Sequence, residues 1–316
     1  MLEICICTHN PRLDVLALAL ESIANQDSPN GAFRVLLVDN ASNPKLTEEL
    51  LAPLVAVGIP ATLLYEETPG IARARVRAIH ASIADWILWI DDDNELTANY
   101  LRVGLEFISK NESVGCFGGK LLLARDLSPS QNTRPLLPYL GIKDEGEEIL
   151  IGMSDEWEPW EPPTAGSWVN RKVFSVFAQK AESPDFFKLG RIGKTNLSSC
   201  EDSFMMRTAY HQGLSCAYVP ELILFHHLSP HRFKCKYLLK LMHAYGTSHV
   251  ILETFLHGYR HAPKWYSTRW RLINTIYRCF KKDRNKSTLY ATAQAAYHIG
   301  CYSEHKRQKQ YQKNII

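Results

Sequence analysis

The sequence lacks several features that would place it in a common class of proteins. No stretch reaches the roughly 18 consecutive apolar residues that a membrane-spanning helix needs, so we expect no transmembrane anchor. The amino terminus opens directly with a strand-like run, so we expect no signal peptide either. No G-x-G-x-x-G pattern follows this run, which argues against a dinucleotide-dependent oxidoreductase. The lack of an apparent anchor and signal peptide predicts a cytosolic location.

Cysteine pairs with metal-binding or redox spacing are also missing. The chain of 316 residues has eight cysteines, and none of them form a Cys-x-x-Cys pair. Four lie among strand-like apolar residues: Cys5, Cys7, Cys116 and Cys216. Cys5 and Cys7 would share one face of a strand, which is a poor geometry for a bond between them. We therefore interpret these cysteines as small core residues.

Acidic residues are scarce in the carboxyl-terminal part of the chain. From Arg232 onward, 17 Lys and Arg residues are accompanied by three acids, a balance of +14. The preceding 231 residues hold 19 basic and 30 acidic residues, a balance of −11. Since 46% of the residues are hydrophobic, the chain can bury a large core. We predict a globular domain over residues 1–232 and a basic, helical region over residues 233–316.

Short apolar runs alternate with helix-like segments, as a mostly parallel α/β sheet requires. The predicted strands are LEICICT, FRVLLVDN and WILWI, and the predicted helices are PRLDVLALALESIANQ, GIARARVRAIHAS and TANYLRVGLEFISKN. Up to Gly118 the predicted order is βαβαβα. In such sheets, ligands bind beyond the carboxyl ends of the strands. Three polar clusters lie at these ends: Thr8-His9-Asn10, Asp39-Asn40 and Asp91-Asp92-Asp93.

The stretch WILWIDDDN, residues 86–94, leads five apolar residues into three adjacent carboxylates. Because these carboxylates repel one another, a bound cation is the natural explanation. In an extended chain Asp91 and Asp93 point to the same side, where both could meet one Mg²⁺ or Mn²⁺, and Asp92 points away. Alternatively the acids cap the next helix. We expect Thr97 to be better placed for that cap.

Seven segments carry a resemblance to a known family: ICICTHNPRLDVLALALESIANQ, VLLVDNAS, PGIARARVRAI, WILWIDDDNEL, PPTAGSWVNRKVF, CEDSFMMRTAYHQG and YVPELILFHH. Their order resembles that of a family 2 glycosyltransferase over residues 1–232. The resemblance implies the GT-A fold, a Rossmann-like, mostly parallel sheet flanked by helices. It also implies metal-dependent transfer of a sugar from a nucleotide diphosphate donor to a hydroxyl, with inversion at the anomeric carbon. UDP is the expected donor nucleotide, and the enzyme would be of the hexosyl or N-acetylhexosaminyl type.

The same resemblance assigns residues at the first two strand ends to the nucleotide. Thr8 and Asn10 would lie near the base and ribose, and Asp39 would accept a hydrogen bond from a pyrimidine edge. Asp39 could instead form a turn with the residues that follow it. Arg75 would serve the donor, although Val76 stands where family members usually have Asn.

For the metal, the resemblance makes Asp93 the best ligand. Asp91 would face the ribose or the same Mn²⁺ or Mg²⁺, and both Asp91 and Asp92 are expected at the nucleotide. A histidine after the last strand completes the metal site in many GT-A enzymes. His226 occupies that place best, ahead of His227 and then His231. Neutral imidazole suits Mn²⁺ better than Mg²⁺. A structural histidine is the alternative.

The catalytic base is expected at the start of the helix-like segment SSCEDSFMMRTAYHQG. The family places its base on the Asp of the Glu-Asp pair, which is Asp202 in this sequence. Glu201 would support Asp202 or bind the acceptor. The alternative is that both acids interact favourably with the helix macrodipole.

A segment rich in Pro and Trp, residues 124–168, separates these landmarks. Loops of this length are often lids or binding surfaces. We predict that Gly166 and Trp168 contact the acceptor, because Gly166 allows close backbone approach. Trp157, Trp160 and Trp168 could stack on sugar faces, but packing under a long loop would equally explain them.

The region from Phe233 onward has no counterpart in the family motifs. Its segment KWYSTRWRLINTIYRCFKKDRNK interleaves basic residues with Trp, Tyr and Phe. Such a pattern is compatible with a helical cover on the acidic domain, with an anionic membrane surface or with nucleic acid. We expect no nucleic acid partner. A membrane contact would place the protein at the inner face of the plasma membrane, near a lipid-linked saccharide acceptor.

Two other functional classes stay open. A nucleotidyltransferase could use the same nucleotide and metal cradle, but Glu201, Asp202 and His226 would then lack their roles. A non-catalytic carbohydrate- or membrane-binding protein on a GT-A scaffold would account for the basic region, yet it would not need three intact acids. A glycosyltransferase of polysaccharide or glycoconjugate synthesis accounts for all of these residues.

Overall fold

The computed structural model describes residues 1–27, 33–181, 183, 186–192, 197–258, 269–283 and 287–313. The chain divides into two compact units. Unit 1 comprises Met1–Leu127, Gly141–Phe187 and Asp202–Leu228, and unit 2 comprises Ser128–Leu140, Lys188–Glu201 and Ser229–Ile316. Each unit draws on several stretches of sequence, whereas the predicted domains are continuous. The domain division at residue 232 stays a prediction.

The strands found in the described part of the chain all lie in unit 1. They are β1 (Leu2–Thr8), β2 (Phe33–Asn40), β3 (Ala61–Glu66), β4 (Trp86–Asp91), β5 (Asn94–Leu96), β6 (Val114–Leu123), β7 (Leu150–Gly152), β8 (Ser167–Asn170) and β9 (Ser215–His226). The α-helices are α1 (Leu13–Ala24), α2 (Ala52–Ala56), α3 (Ile71–Ala81), α4 (Tyr100–Lys110), α5 (Arg171–Lys180), α6 (Glu201–His211), α7 (Cys235–His257), α8 (Arg269–Asp283) and α9 (Thr288–Lys313).

These strands form one sheet in the order β3-β2-β1-β4-β8-β6-β9-β5, with β7 paired to β9. β1 pairs in parallel with β2 and β4, β2 with β3, and β6 with β9. β8 joins the two parallel groups by antiparallel pairing with β4 and β6, and β5 and β7 are antiparallel to β9. Helices α1, α3, α4 and α5 pack on the strands. The predicted α/β class with a mostly parallel sheet is confirmed.

The central position of β1 follows from its composition. All seven residues of LEICICT are buried, which is the pattern of a strand covered on both faces. The register places Thr8 beside Asp39 of β2 and Cys7 beside Asp91 of β4. The polar clusters that follow these strands therefore lie at one edge of the sheet, as predicted.

Between its elements, the predicted βαβαβα order omits two strands, β3 and β5. β3 lies at the edge of the sheet, and among its residues only Leu63 is buried, so it carries little apolar signal. β5 has only three residues. The predicted cap at Thr97 is wrong, because α4 begins at Tyr100 after Asn99. The Thr97 hydroxyl donates to the backbone oxygen of Ile223 instead, at 2.9 Å.

The four strand cysteines are free and buried, which confirms that they are core residues. Burial raises the pKa of the Cys7 thiol to about 12, and nearby Asp91 and Asp92 act in the same direction. A thiol in this state is a weak nucleophile near neutral pH.

Unit 2 is helical and carries the basic region. Helices α7 and α9 approach closely at two glycines: a Cβ on Gly246 would overlap the backbone of Tyr297, and one on Gly300 would overlap that of His243. Helix α8 packs on α9. The predicted helical, basic extension is confirmed. Among the described helices, none combines the length and apolarity that crossing a bilayer requires.

We expect Gly104→Ala in α4 to destabilise the protein. A Cβ at this position would overlap the ring of Trp168, which is fully buried. Overpacking of this kind costs about 1–3 kcal/mol, whereas Gly→Ala inside a helix normally stabilises by about 1 kcal/mol. Urea unfolding would measure the change, with exposed Leu105→Ala as the control. A stabilised Gly104→Ala variant would contradict this packing.

Candidate active site

The loops that follow β1 and β2 are tied to each other. The backbone N–H of Asn10 donates to the Ser42 hydroxyl at 2.8 Å, and the Asn10 side-chain oxygen accepts from the N–H of Asn43 at 2.8 Å. His9 Nδ1 lies 2.7 Å from the backbone oxygen of Asn40. Asn10 has a φ of +51°, a left-handed conformation that Asn tolerates better than most residues. These bonds fix the position of exposed Asn10 beside the end of the sheet.

Asp39 forms a turn with the residues that follow it, which is one of the two roles that the sequence allowed. Its two carboxylate oxygens accept from the backbone N–H groups of Ser42 and Leu46, at 3.0 and 2.9 Å. The side chain is 1% exposed. Each oxygen has a second lone pair, so a contact with a base is compatible with this turn. That contact stays a prediction.

Asn40 organises the neighbouring loop, a role that the sequence analysis did not assign. Its amide nitrogen donates to the backbone oxygens of Glu66 and Thr68, and its amide oxygen accepts from the N–H of Gly70. Asn40 therefore connects the end of β2 to the start of α3. The polar pair after a strand was a visible signal, but its partners lie about 30 residues away along the chain.

Arg75 lies on α3 and is 5% exposed. Its guanidinium donates to the Thr164 hydroxyl at 2.7 Å and lies 6.0 Å from the ring centroid of Trp89. The charge of Arg75 lowers the pKa of Cys7, an effect smaller than that of burial, which raises it. Since Cys7 pairs with Asp91 in the sheet, Arg75 places positive charge near the acidic strand end.

The three acids at the end of β4 have different neighbours. Asp92 accepts a hydrogen bond from the hydroxyl of Thr8. Asp91, Asp93 and His226 each offer a ligand atom, and these atoms lie within 4.8 Å of one another. Asp91 and Asp93 therefore meet at one place while Asp92 turns to β1, as the alternation along the chain predicted.

His226 has the surroundings expected of a metal ligand. It is 4% exposed, and within the described structure both ring nitrogens are buried without a hydrogen-bond partner. Nε2 lies 3.1 Å from Oδ1 of Asp93, but the angles do not fit a hydrogen bond. A buried polar nitrogen without a partner is costly, and coordination would remove that cost. The donor set of carboxylates and imidazole suits Mn²⁺ and is compatible with Mg²⁺.

The sheet explains why His226 faces the acids. β5 runs antiparallel to β9, with Asn94 opposite His226. The next residue, His227, is held elsewhere: its backbone N–H donates to the Asp93 backbone oxygen at 2.8 Å, and its Nε2 lies 2.7 Å from Oε2 of Glu95. The geometry thus favours His226 over His227, in the order predicted.

The predicted catalytic pair begins α6. The Asp202 carboxylate accepts from the N–H of Ser203 at 2.8 Å and is partly exposed. Glu201 is 3% exposed. A general base must reach its substrate, so the more accessible Asp202 is the better candidate of the two.

A buried ion pair beside α6 was missed by the sequence analysis. Nε of Arg207 lies 3.2 Å from Oε2 of Glu161, and the two residues are 6% and 7% exposed. Burial raises the pKa of Glu161, while Arg207 and a hydrogen bond with Ser203 oppose this rise. The charge of Asp202 also raises it, which places Glu161 near the first turn of α6. The signals were a lone Glu before two prolines and an Arg within the apolar run FMMRTA.

The predicted sugar-stacking role of Trp168 is wrong. Trp168 is 0% exposed and stacks on Phe117 with ring centroids 5.5 Å apart, so it has no face for a ligand. Gly166 is buried as well. Its φ of +74° and the close approach of Tyr100 and Leu224 require a glycine there without any ligand. Its predicted contact with the acceptor stays a prediction.

Two other tryptophans of the long segment differ in exposure. Trp160 packs against the backbone of Gly152, where a Cβ would overlap the indole. Trp157 is 61% exposed, with Nζ of Lys143 5.8 Å from its ring centroid. Lys143 also donates to the backbone oxygen of Glu161 at 2.9 Å. Trp157 therefore has an exposed ring surface, and it lies on the same segment as Glu161 of the buried ion pair.

Comparisons with known proteins match the first part of the chain to one family. Residues 3–140 match the family model described as Glycosyl transferase family 2. A Haemophilus influenzae protein called "Uncharacterized glycosyltransferase" is 31% identical over 115 residues, which cover 36% of each chain. This match spans only about a third of that relative's length.

Solved structures show the same fold. S. aureus TarS 1–349 covers 98% of this chain and 92% of its own, at 16% identity and a TM-score of 0.51. The mannosyltransferase PcManGT from Pyrobaculum calidifontis, in complex with GDP-Man and Mn²⁺, covers 98% of this chain and 87% of its own, at 13% identity and a TM-score of 0.57. The fold is that of GT-A glycosyltransferases. Residues 3–140 match the model of glycosyl transferase family 2, and the resemblance predicted from the sequence is confirmed for these residues.

We expect the Glu161–Arg207 pair to behave as a coupled buried pair. Glu161→Leu or Arg207→Leu alone removes one partner of a buried ion pair, which costs about 3–5 kcal/mol, and the double variant should lose less than the sum. Urea unfolding measures all three variants. The exposed pair of Arg102 and Glu106 is the control, where single replacements should cost about 0.5 kcal/mol or less. Equal costs at the buried and exposed pairs would contradict the coupling.

Proposed function

We propose that the protein is an inverting, metal-dependent glycosyltransferase that transfers a sugar from a nucleotide diphosphate, with UDP as the expected nucleotide, to a hydroxyl acceptor. The observation that carries the proposal is the meeting of Asp91, Asp93 and buried His226 at the strand ends of a family 2 fold. The acceptor class is a saccharide or lipid-linked saccharide in polysaccharide or glycoconjugate synthesis, and the sugar a hexose or N-acetylhexosamine.

Asp93 and His226 would hold Mn²⁺ or Mg²⁺, with Asp91 as a third ligand or a ribose contact. The chemistry supplied by a bound cation is neutralisation of the negative charge that develops on the leaving nucleotide diphosphate. The orphaned nitrogens of His226 support this assignment.

The remaining strand-end residues would bind the nucleotide. Thr8 and Asn10 would lie near the base and ribose, with Asp39 at the base. Asp92 and Arg75 would complete the nucleotide site, and the guanidinium would add positive charge near the diphosphate. The titles of two structural neighbours name such nucleotides, UDP for TarS 1–349 (14% identity, TM-score 0.50) and GDP-Man for PcManGT. They support a nucleotide-sugar donor in general.

Asp202 would act as the general base. Its carboxylate would take the proton of the acceptor hydroxyl while the hydroxyl oxygen bonds to the anomeric carbon. The bond from that carbon to the phosphate oxygen breaks at the same time, and the nucleotide diphosphate leaves with the electron pair. Attack opposite to the leaving group inverts the anomeric configuration. Glu201 would support Asp202 or bind the acceptor.

The exposed ring of Trp157 is the tryptophan surface that we propose for stacking on the acceptor, in place of Trp168. Aromatic rings pack well against the apolar faces of sugars. Trp157 is connected to the base candidate Asp202 in three steps. Lys143 lies near the Trp157 ring and donates to the backbone oxygen of Glu161, and the charge of Asp202 acts on the Glu161 carboxyl. Gly166 stays a proposed backbone contact.

We expect Asp93→Ala to abolish the Mn²⁺-dependent part of UDP binding, because a charged metal ligand is lost. Calorimetric titration with UDP, with and without Mn²⁺, measures this part. Asp126→Ala is a control acid that lies outside the predicted site and is exposed. Mn²⁺-dependent affinity close to wild type in Asp93→Ala would overturn the metal assignment.

We expect Asp202→Asn to keep donor binding but to lower sugar transfer by roughly 10²-fold or more, the usual scale for a lost general base. A donor screen for slow hydrolysis of nucleotide sugars identifies the substrate, and UDP release measures the rate. Glu201→Gln tests the neighbouring acid. Near-normal transfer by Asp202→Asn would reassign the base, and release of sugar 1-phosphate instead of UDP would indicate transfer of the nucleotide, as by a nucleotidyltransferase.

A further inference from the structure

Helix α8 presents an apolar surface to solvent. Four large apolar side chains, Trp270, Ile273, Tyr277 and Phe280, are 70%, 58%, 67% and 38% exposed. They are spaced by three, four and three residues, so they lie on one face of the helix. No residue of α8 is buried. We call this set the α8 apolar stripe.

The stripe is not the face that packs on the rest of unit 2. Helix α8 contacts α9, and its half-buried apolar residues are Leu272, Ile276 and Cys279, which are spaced by four and three. These residues form a second apolar face. The α8 apolar stripe is therefore additional to the apolar area that the packing of α8 uses.

Positive charge lies directly beside the stripe. Arg271, Arg278, Lys281 and Lys282 are exposed, whereas the one acid of α8 is Asp283 at its last position. At about 100° per residue, Arg271, Arg278 and Lys282 fall on a common side of the helix and Lys281 falls between them and the stripe. The exposed half of α8 is thus an apolar band with a cationic flank.

We propose that the α8 apolar stripe and its cationic flank bind the headgroup region of an anionic lipid bilayer. Interfacial helices combine an apolar face that contains aromatic residues with Lys and Arg on the polar face. Trp and Tyr favour the level of the headgroups, and Lys and Arg are attracted to acidic lipid. Both features occur on the same exposed half of α8.

Charge complementarity favours a bilayer over other occupants. In an antiparallel symmetric contact between two copies of α8, both cationic flanks would lie on the same side of the interface, and like charges oppose association. Nucleic acid would pair with the flank but would leave most of the stripe in water. An anionic bilayer accepts both the cations and the apolar side chains. The proposal goes beyond the transfer reaction and does not depend on it.

Co-sedimentation of the full chain with vesicles tests the proposal. Neutral phosphatidylcholine vesicles are compared with vesicles that contain about 30% phosphatidylglycerol, at low and at high salt. We expect binding to the anionic vesicles, weakened by salt because screening shortens the range of the attraction. Equal binding to both vesicle types, or negligible binding to either, overturns the proposal.

Variants locate the contact. Trp270→Ser with Tyr277→Ser removes half of the stripe, and Lys281→Gln with Lys282→Gln removes two cations. Each pair of replacements should weaken binding by roughly tenfold or more. The lysine pair removes two cations that contribute about fivefold each, and the aromatic pair removes apolar area from the interface. Matched replacements in unit 1, Ile83→Ser and the pair Lys110→Gln with Lys172→Gln, should leave binding unchanged. Unchanged binding in both α8 variants overturns the assignment to α8.

Two further measurements separate other partners and loss of folding. Circular dichroism and thermal unfolding verify that each variant is folded. Analytical ultracentrifugation without vesicles detects self-association, and fluorescent oligonucleotides detect nucleic acid binding. Self-association that the stripe variant abolishes, or oligonucleotide binding without vesicle binding, overturns the bilayer proposal. UDP titration of the same variants reports on the catalytic proposal, so the two can fail independently.

Discussion

Repulsion among the three carboxylates at the end of β4 is the constraint on which the arrangement of the site depends. The turn between β4 and β5 separates them: Asp92 bonds to the hydroxyl of Thr8, while Asp91 and Asp93 meet His226. The backbone N–H of Asp91 is fixed by the Asn94 side chain at 3.0 Å. Carboxylates held this close disfavour each other's charged form, and a cation relieves that cost. The same acids would therefore provide the metal affinity that we propose for the site.

Parallel pairing of β1 with β2 and β4 brings the carboxyl ends of these strands to one edge of the sheet. The sequence predicted this pairing because a mostly apolar strand followed at once by polar residues is a local pattern. Thr8, Asp39 and Asp91 could be placed at one edge from strand order alone. Edge strand β3 could not be predicted in this way, because only one of its residues, Leu63, is buried. Local patterns thus predict the centre of a sheet better than its edge.

Contacts between distant segments account for what the sequence did not predict. Glu161 and Arg207 are 46 residues apart, and the sequence around either residue does not indicate that the two form a buried pair. Trp157 and Trp168 lie in similar Pro-rich surroundings, yet one is exposed and the other fully buried. The difference depends on Gly104, whose missing side chain leaves room for the Trp168 ring. Such complementarity is a property of the folded chain.

Unit 2 raises a question that packing alone does not answer. If α8 only covered other helices, its aromatic residues would be expected on the packing face. Instead Leu272, Ile276 and Cys279 are half-buried while Trp270 and Tyr277 remain exposed. Exposed apolar area is an aggregation liability unless a partner covers it. A bilayer would cover this area and would also restrict the protein to the surface where the proposed lipid-linked acceptor would reside. Such restriction raises the effective concentration of acceptor without any change in the catalytic residues.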